Sequence, residues 1–345
     1  RGRRRGTNLT MFRSDKYRGN PNLKAAFIPV QYTEHQIKEF AKCADDPEYF
    51  LCNYIKIVSV DRGVIPFDLW DFQRDLINCY RNNRFVVSKW PRQSSKTTTT
   101  VGYLLWKIIF TPAYRAAVLA DKGSTARKIL DRLRKMYEHI PFWMQQGVVE
   151  WNKGSVELEN GSGVVVSSTT VNALRGDSIN LIIMDEYAMV RNNIAEEFDA
   201  SVFPTISSGK TTQLFILSTP KGINHFHRLW VEAEQGKNGF IAKSIRWQDV
   251  PGRDAEWEKV QRQKLKHMFA QEHETEFIGS SNTLIASQYL RNITFKEPII
   301  ETEEFHIYEK PVRHDKDVPG SVTHTYVLMA DTSEGKGLDY HAFSV

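Results

Sequence analysis

Short apolar runs, separated by polar segments with helical periodicity, recur along the chain from about residue 85 to residue 217. Continuous apolar runs of this length are typical of strands that are covered on both faces, as in parallel sheets. A helix is predicted from Ser124 to about His139, because its apolar residues keep helical spacing and Pro141 follows it. The predicted strands are Phe85–Val87, Ala116–Ala120, Leu181–Met184 and Leu214–Leu217.

The segment from residue 148 to residue 168, VVEWNKGSVELENGSGVVVSS, has a different pattern. Its two polar breaks consist of turn-forming residues, which predicts an antiparallel meander. Thr33 is followed at capping-box spacing by Gln36, which predicts a helix start. A charged helix is predicted from Asp254 to about Phe269. Together these elements predict an α/β fold with a mainly parallel central sheet and an inserted antiparallel piece.

Composition places the chain among globular proteins, with 41% hydrophobic and 25% charged residues over 345 positions. A chain of this length is expected to form about two domains. No apolar run approaches the ~20 residues that a bilayer span needs, so we expect no membrane association. Cys43, Cys52 and Cys79 lack the paired spacing of disulfide or zinc sites and are interpreted as free thiols in a reducing cytosol.

The net charge of +5 is mild. The opening RGRRRG is interpreted as a solvated arm, with contact to phosphates as the functional alternative.

A candidate phosphate-binding loop follows the first predicted strand, in the sequence RFVVSKWPRQSSKTTTT of residues 84–100. Backbone N–H groups at a helix start can cradle phosphates, Lys96 adds a positive charge, and Thr97 can ligate Mg²⁺. The familiar motif has two glycines, at the positions that Trp90 and Ser95 occupy here. The loop residues predicted to contact a nucleotide are Arg92, Gln93, Ser94, Ser95, Lys96, Thr97 and Thr98.

An acidic pair, Asp185 and Glu186, ends the third predicted strand about 90 residues after the loop. The carboxyl ends of buried parallel strands are where such sheets place their ligands. Asp185 can hold Mg²⁺, and Glu186 can accept a proton from the attacking water or orient it. The fourth predicted strand ends in Ser218 and Thr219, small polar residues that are well placed to sense a γ-phosphate.

Four further sites have candidate roles. The amide of Gln73 can donate to and accept from an adenine edge, and Arg92 could stabilise charge on the transferring phosphoryl group. The pair His225 and His227 is interpreted as structural rather than as a metal site, because the two rings would point in different directions on a helix. Arg175 could contact the nucleotide or a neighbouring subunit, or be an ordinary loop residue.

The order of these motifs resembles the large terminase subunit of tailed bacteriophages, in particular of the myovirus type. The resemblance covers essentially the whole chain. It implies a P-loop NTPase of the ASCE type, an ATPase that translocates double-stranded DNA into a preformed capsid. The segments that carry it are NPNLK, DFQRD, RQSSKTT, VEWNKGS, RGDS, IMDE, STPKG, QEHETEF and DTSEGKGLDYHA.

Residue by residue, the resemblance implies that Gln73 reads adenine and that Arg92 is a cis-acting arginine. It implies that Lys96 and Thr97 bind phosphate and Mg²⁺. Asp185 is then the metal-binding aspartate, and Glu186 the catalytic base. The run Leu217, Ser218 and Thr219 would couple hydrolysis to movement. Family loops usually have glycine just before the lysine, so Ser95 is a departure that bears on loop geometry and turnover.

The resemblance also implies two domains, the first of which is an ATPase domain at 1–309. The polar stretch KPVRHDKDVPG, which contains two prolines, predicts a linker at 310–322 between them. The nucleotide-binding core is expected at about 44–245, with a smaller helical and irregular subdomain from about 1–43 and 246–309. Residues 323–345 would begin a ribonuclease-H-like nuclease that cuts concatemeric DNA. Asp331 matches its first metal-binding carboxylate and Asp339 is a weaker candidate.

The chain stops inside a predicted strand, so we expect it to be a fragment without cleavage activity, because the later nuclease carboxylates are absent.

The expected cofactors are ATP with Mg²⁺, and a divalent metal for the nuclease. The expected partners are double-stranded DNA, a portal protein, a small terminase subunit and further copies of the chain in a ring on the capsid. The expected location is the host cytoplasm, with transient docking on the procapsid. Two alternatives stay open: a helicase or translocase of another P-loop family, and a catalytically silent scaffold that binds DNA or a portal.

Overall fold

The computed structural model describes residues 14–169, 178–207, 209–278, 297–302, 306–308, 329–331 and 342–344. The chain divides into two units, residues 1–278 and 279–345. The helices of the described part are α1 Glu34–Asp45, α2 Pro47–Tyr54, α3 Asp71–Asn82, α4 Lys96–Phe110, α5 Gly123–Glu138, α6 Asn192–Ser207, α7 His225–Glu234, α8 Ala255–Leu265 and α9 Met268–Glu272.

The strands of the first unit are β1 Lys56–Ser59, β2 Gly63–Pro66, β3 Phe85–Lys89, β4 Arg115–Ala120, β5 Val148–Trp151, β6 Ser155–Leu158, β7 Gly163–Ser168, β8 Leu181–Asp185, β9 Gln213–Ser218 and β10 Ile241–Ser244. The second unit contains β11 Ile300–Glu301, β12 His306–Ile307, β13 Met329–Asp331 and β14 Ala342–Ser344. All four strands predicted from the apolar runs are confirmed as β3, β4, β8 and β9, each one or two residues longer than predicted.

An eight-stranded sheet organises the first unit, in the order β10-β3-β9-β8-β4-β7-β6-β5. Every neighbouring pair from β10 to β7 is parallel. Strand β9 therefore lies between β3 and β8. The predicted α/β fold with a mainly parallel sheet is confirmed.

The predicted meander is confirmed, because β5 pairs antiparallel with β6 and β6 with β7. Strand β7 also pairs in parallel with β4. The meander therefore extends the main sheet at one edge and is not a separate layer.

Both faces of the sheet are covered, which explains the continuous apolar composition of its strands. On one face, Val86, Val118 and Phe215 pack with residues of α3, α4 and α5. On the other face, Val87 and Met184 pack with residues of α6 and α7. Alternate residues along each strand thus enter different cores, as the two-residue repeat of a strand requires.

Local signals set several helix ends. Thr33 accepts from the Gln36 N–H and the Gln36 side chain accepts from the Thr33 N–H, so the predicted capping box is confirmed. Asp254 caps α8 through the Trp257 N–H. The charged helix ends at Leu265 and not near Phe269, because Lys266 has a φ of 50° that no α-helix can include.

In the second unit, β11 pairs with β12 and β13 with β14, both antiparallel. Asp331 is the last residue of β13. Asp339 and the predicted linker at 310–322 lie outside the described residues, so the predicted domain limits stay predictions. Within the described ranges, no helix has both the length and the apolar composition that a bilayer span requires.

Candidate nucleotide-binding site

Three neighbouring parallel strands, β3, β9 and β8, end at the same edge of the sheet, and the candidate motifs follow these ends. Lys89 at the end of β3 lies beside Ser218, and Asp185 at the end of β8 lies beside Leu217. The loop between β3 and α4 therefore lies close to the acidic pair. The parallel register of the sheet thus brings together the loop and the acidic pair, which are about 90 residues apart in the sequence.

The backbone of the loop is sharply turned although it lacks glycine. Gln93 has a φ of 55° and Ser95 a φ of 66°, both in the left-handed region. Ser95 therefore adopts the conformation for which glycine is usually selected at this position. Trp90, at the other glycine position, is buried with its ring edge-on to Phe72 at 5.3 Å. Its indole thus fills the core and leaves the loop backbone unobstructed.

Side chains from the loop and from the end of β8 meet directly. Thr97 donates from Oγ1 to Asp185 Oδ2 at 2.8 Å. Lys96 Nζ lies 3.1 Å from Glu186 Oε1 and 3.4 Å from Thr219 Oγ1. The structure therefore brings five predicted site residues from three separate segments into one cluster, the nucleotide-site cluster.

The cluster is held in a desolvated environment. Asp185 is buried, and burial raises the pKa of its carboxyl group above the ordinary value, as does the neighbouring Glu186. The Lys96 ammonium and the hydrogen bonds from Thr97 and the Glu186 N–H oppose that rise. Glu186 itself has a φ of 54°, which turns the chain immediately after the strand.

The donor set of this cluster fits Mg²⁺. A threonine hydroxyl and an aspartate carboxylate are hard oxygen ligands, and Mg²⁺ in phosphate sites is held by one or two carboxylates together with water and phosphate oxygens. The described residues contain no group of three or more His, Cys, Asp or Glu side chains that could enclose a metal by themselves. A Mg²⁺ ion held by Thr97 and Asp185 would therefore need further oxygen ligands, such as water or phosphate.

The run at 217–219 connects the loop to the acidic strand end. The Trp90 N–H donates to the Ser218 carbonyl at 3.3 Å, and Thr219 Oγ1 donates to the Trp90 carbonyl at 3.3 Å. Ser218 Oγ accepts from the Ala188 N–H at 3.0 Å, just beyond Glu186. Leu217 is buried beneath them. The run therefore contacts both the loop and the segment after the acidic pair.

A model of the N-terminal part of T4-like terminase large subunits matches residues 89–291, more than half of the chain. The chain belongs to that family. Its fold is similar to the large terminase ATPase domain of Thermus phage P74-26, with 20% identity over 61% of this chain and 95% of that domain, and a TM-score of 0.50. The large terminase of bacteriophage HK97 has 17% identity over 74% of this chain, with a TM-score of 0.57. The chain spans 59% of that protein's length.

In this terminase chain, Gln73 lies behind the loop and bridges two helices. It is buried, its carbonyl oxygen accepts from the Trp70 N–H at 2.9 Å, and its amide donates to Thr99 Oγ1 at 3.0 Å. These bonds tie the start of α3 to the first turns of α4. Recognition of adenine by Gln73 stays a prediction.

Arg92 lies on the exposed side of the loop, with 68% of its side chain accessible. The side-chain Nε of Arg92 is 3.4 Å from Glu272 Oε2, and the backbone N–H of Arg92 donates to the Glu272 carbonyl at 2.9 Å. Arg253 donates to the carbonyls of Arg92 at 2.7 Å and Gln93 at 3.0 Å. The segment around α8 and α9 therefore holds the loop from outside, which sequence reasoning missed because nothing in the spacing pairs residues 92 and 253.

The remaining candidates lie away from the cluster or outside the described residues. His225 is bonded through Nδ1 to Asn192 and through Nε2 to the Tyr187 carbonyl, both at 2.8 Å. The His227 ring is edge-on to Phe277 at 4.7 Å. The structural interpretation of both histidines agrees with these contacts. Arg175 lies outside the described residues.

A basic cleft of about 480 Å³ lies at the opposite edge of the sheet. Arg81, Arg84, Lys107 and Lys210 contribute its cations, and none of the described residues that line it is Asp or Glu. Arg81 and Lys107 lie in the last turns of α3 and α4, where a cation compensates the helix dipole. This cleft is separate from the nucleotide-site cluster.

Proposed function

We propose that this chain is the ATP-hydrolysing part of a terminase motor, of the myovirus type, that moves double-stranded DNA into a procapsid. The observation that carries the proposal is the cluster of Lys96, Thr97, Asp185 and Glu186, formed where three parallel strands end. Family membership supports the DNA-packaging role, and the fold supports an NTPase.

The loop and the first turn of α4 would bind the phosphates. Lys96 to Phe110 is a helix of 15 residues, and the N–H groups of its first turn have no partner within the helix. Together with the Lys96 ammonium, they form a site for anionic oxygens. Phosphoryl transfer depends mainly on such positioning and on charge stabilisation.

Thr97 and Asp185 would hold Mg²⁺, which neutralises charge on the phosphate oxygens when it is bound. Glu186 is the proposed base: it would orient the attacking water and accept its proton. Arg92 would act on the transferring phosphoryl group after leaving its contact with Glu272. Leu217, Ser218 and Thr219 would transmit the change to the rest of the unit.

The full-length protein is proposed to include a metal-dependent nuclease beginning near Asp331, and to work with a portal protein and a small terminase subunit as a ring of copies. The DNA is proposed to be held through its phosphates. These expectations rest on family membership, because the described part of residues 279–345 is limited to short strands.

Replacing Glu186 by Gln tests the proposal. We expect the 345-residue chain with E186Q to bind ATP like the parent, because the phosphate-binding loop is unchanged. Turnover with Mg²⁺ and duplex DNA should fall by a factor of about 10² or more, since a positioned general base contributes that much. Binding is measured with a fluorescent ATP analogue and turnover by phosphate release.

The matched control is E197Q, which removes an exposed carboxylate from α6 and should leave both quantities unchanged. Hydrolysis by E186Q at the parent rate would show that another group is the base. A parent chain that neither binds nor hydrolyses ATP under these conditions would favour the scaffold alternative.

A further inference from the structure

Arg132, on α5, reaches the edge of the nucleotide-site cluster from a different helix. Its Nη1 donates to Thr98 Oγ1 at 3.2 Å. Thr98 is the third residue of α4 and directly follows Thr97. A guanidinium has five N–H donors, and this bond accounts for one of them. Arg132 therefore lies beside the start of α4 and has guanidinium N–H donors that this bond does not use.

Arg132 lies close enough to the cluster for its charge to interact with that of Asp185. The residue is exposed, yet the protein packed around it lowers its pKa, while the Asp185 carboxylate opposes that effect. Arg132 remains charged at neutral pH, as arginine does in proteins. Among the described residues, Arg132 forms no salt bridge with a carboxylate, so its charge is not neutralised at short range.

The position of Thr98 indicates which phosphate lies near Arg132. In P-loops the lysine reaches the β- and γ-phosphates, and the backbone at the helix start cradles the α- and β-phosphates. Thr98 lies two residues beyond Lys96, away from the γ-phosphate end. A cation beside Thr98 would therefore face the α- and β-phosphates.

We propose that Arg132 is a nucleotide-binding residue that contacts the α- or β-phosphate of the bound nucleotide. The inference rests on the proposed function, because it places a further contact in the same site. ATP and ADP both have an α- and a β-phosphate, so both would accept this charge-assisted hydrogen bond from Arg132. Arg132 would thus set the affinity for both nucleotides, whereas Arg92 and Glu186 are proposed to act on the γ-phosphate and its attack.

The test compares R132Q with the parent chain, using fluorescent methylanthraniloyl derivatives of ATP and ADP with Mg²⁺. We expect the Kd of R132Q to rise about tenfold for both nucleotides, the size of one charge-assisted hydrogen bond. R132K should have an intermediate Kd, because it keeps the charge but loses the planar fork.

The matched control is R127Q, which removes an exposed arginine from the same helix and should bind both nucleotides like the parent. Parent-like Kd values for R132Q would overturn the inference, as would a loss confined to ATP or an equal loss in R127Q. A parent chain that binds neither nucleotide would instead overturn the proposed function, so the two failures are distinguishable. Thermal midpoints of all variants confirm that each one is folded.

Discussion

Three residues of the nucleotide site have left-handed backbone conformations although they carry a side chain: Gln93, Ser95 and Glu186. Each such conformation costs about 1–2 kcal/mol relative to the right-handed region. Within the site this strain occurs in the loop and at the acidic strand end, where the backbone turns sharply. The backbone geometry of the site therefore lowers the free energy of unfolding of the first unit.

Replacing Ser95 by Gly should stabilise the first unit. Glycine relieves the left-handed strain, although it also adds freedom to the unfolded chain, so we expect a net gain of about 1 kcal/mol. For a unit of this size the thermal midpoint should rise by about 2–4 °C. Differential scanning calorimetry on the parent and S95G chains measures both quantities.

Two control variants should both have lower thermal midpoints than the parent. S95V should lower the midpoint, because a β-branched residue is least tolerated at positive φ. S94G should also lower it, since Ser94 Oγ donates to the Pro91 carbonyl at 2.6 Å and no positive φ is relieved there. A midpoint for S95G below that of the parent would contradict the strain argument.

At the scale of elements, residues 247–273, which include α8 and α9, form a clamp that holds the phosphate-binding loop through Arg253 and Glu272. Trp247, Trp257 and Phe269 pack together, and Arg253 lies over the Trp257 ring at 4.8 Å while it binds the loop carbonyls. His273 completes the cluster, with its ring 4.9 Å from that of Trp257. The loop is therefore held between the sheet and this clamp.

The clamp should make the stability of the first unit depend on pH through His273. Burial, together with the charges of Arg253 and Arg92, lowers the pKa of His273 to about 4. The unfolded chain binds this proton near pH 6.5, so between about 6.5 and 4 it holds more protons than the folded chain. Stability from this group is complete above pH 6.5 and is lost as the pH falls towards 4.

Thermal midpoints of the parent and H273Q chains between pH 7 and pH 5 test this dependence. The parent should lose more stability across that interval than H273Q, whatever the absolute stability of the variant. H267Q is the matched control, because His267 is exposed in the same segment. Equal slopes for the parent and H273Q would mean that His273 does not titrate in this way.

At the scale of the whole molecule, the nucleotide-site cluster and the basic cleft lie at opposite edges of the sheet. The nucleotide-site cluster lies where the parallel strands end, and a cleft lined by Arg81, Lys107 and Lys210 lies where they begin. The cations of this cleft face no carboxylate among the described residues that line it. Contacts of this kind attract phosphates without reading bases.

We therefore expect duplex DNA to bind without sequence preference and with strong dependence on salt. The logarithm of the association constant should fall linearly with the logarithm of salt concentration, with a slope of about −0.9 for each phosphate contacted. Fluorescence anisotropy with two labelled duplexes of unrelated sequence measures this. A preference of about tenfold for one duplex, or affinity unchanged by salt, would contradict the proposed mode of DNA contact.

Local sequence determined the strands, the fold class and the chemistry of the loop and acidic pair, because apolar runs, turn residues and capping boxes act over a few neighbouring positions. The structure adds strand order, which places Thr97 against Asp185 across 88 positions of sequence. Only tertiary packing decided that Arg132 reaches the first turn of α4 and that Arg253 reaches the loop. No local pattern encodes such contacts, since they depend on how whole helices are arranged around the sheet.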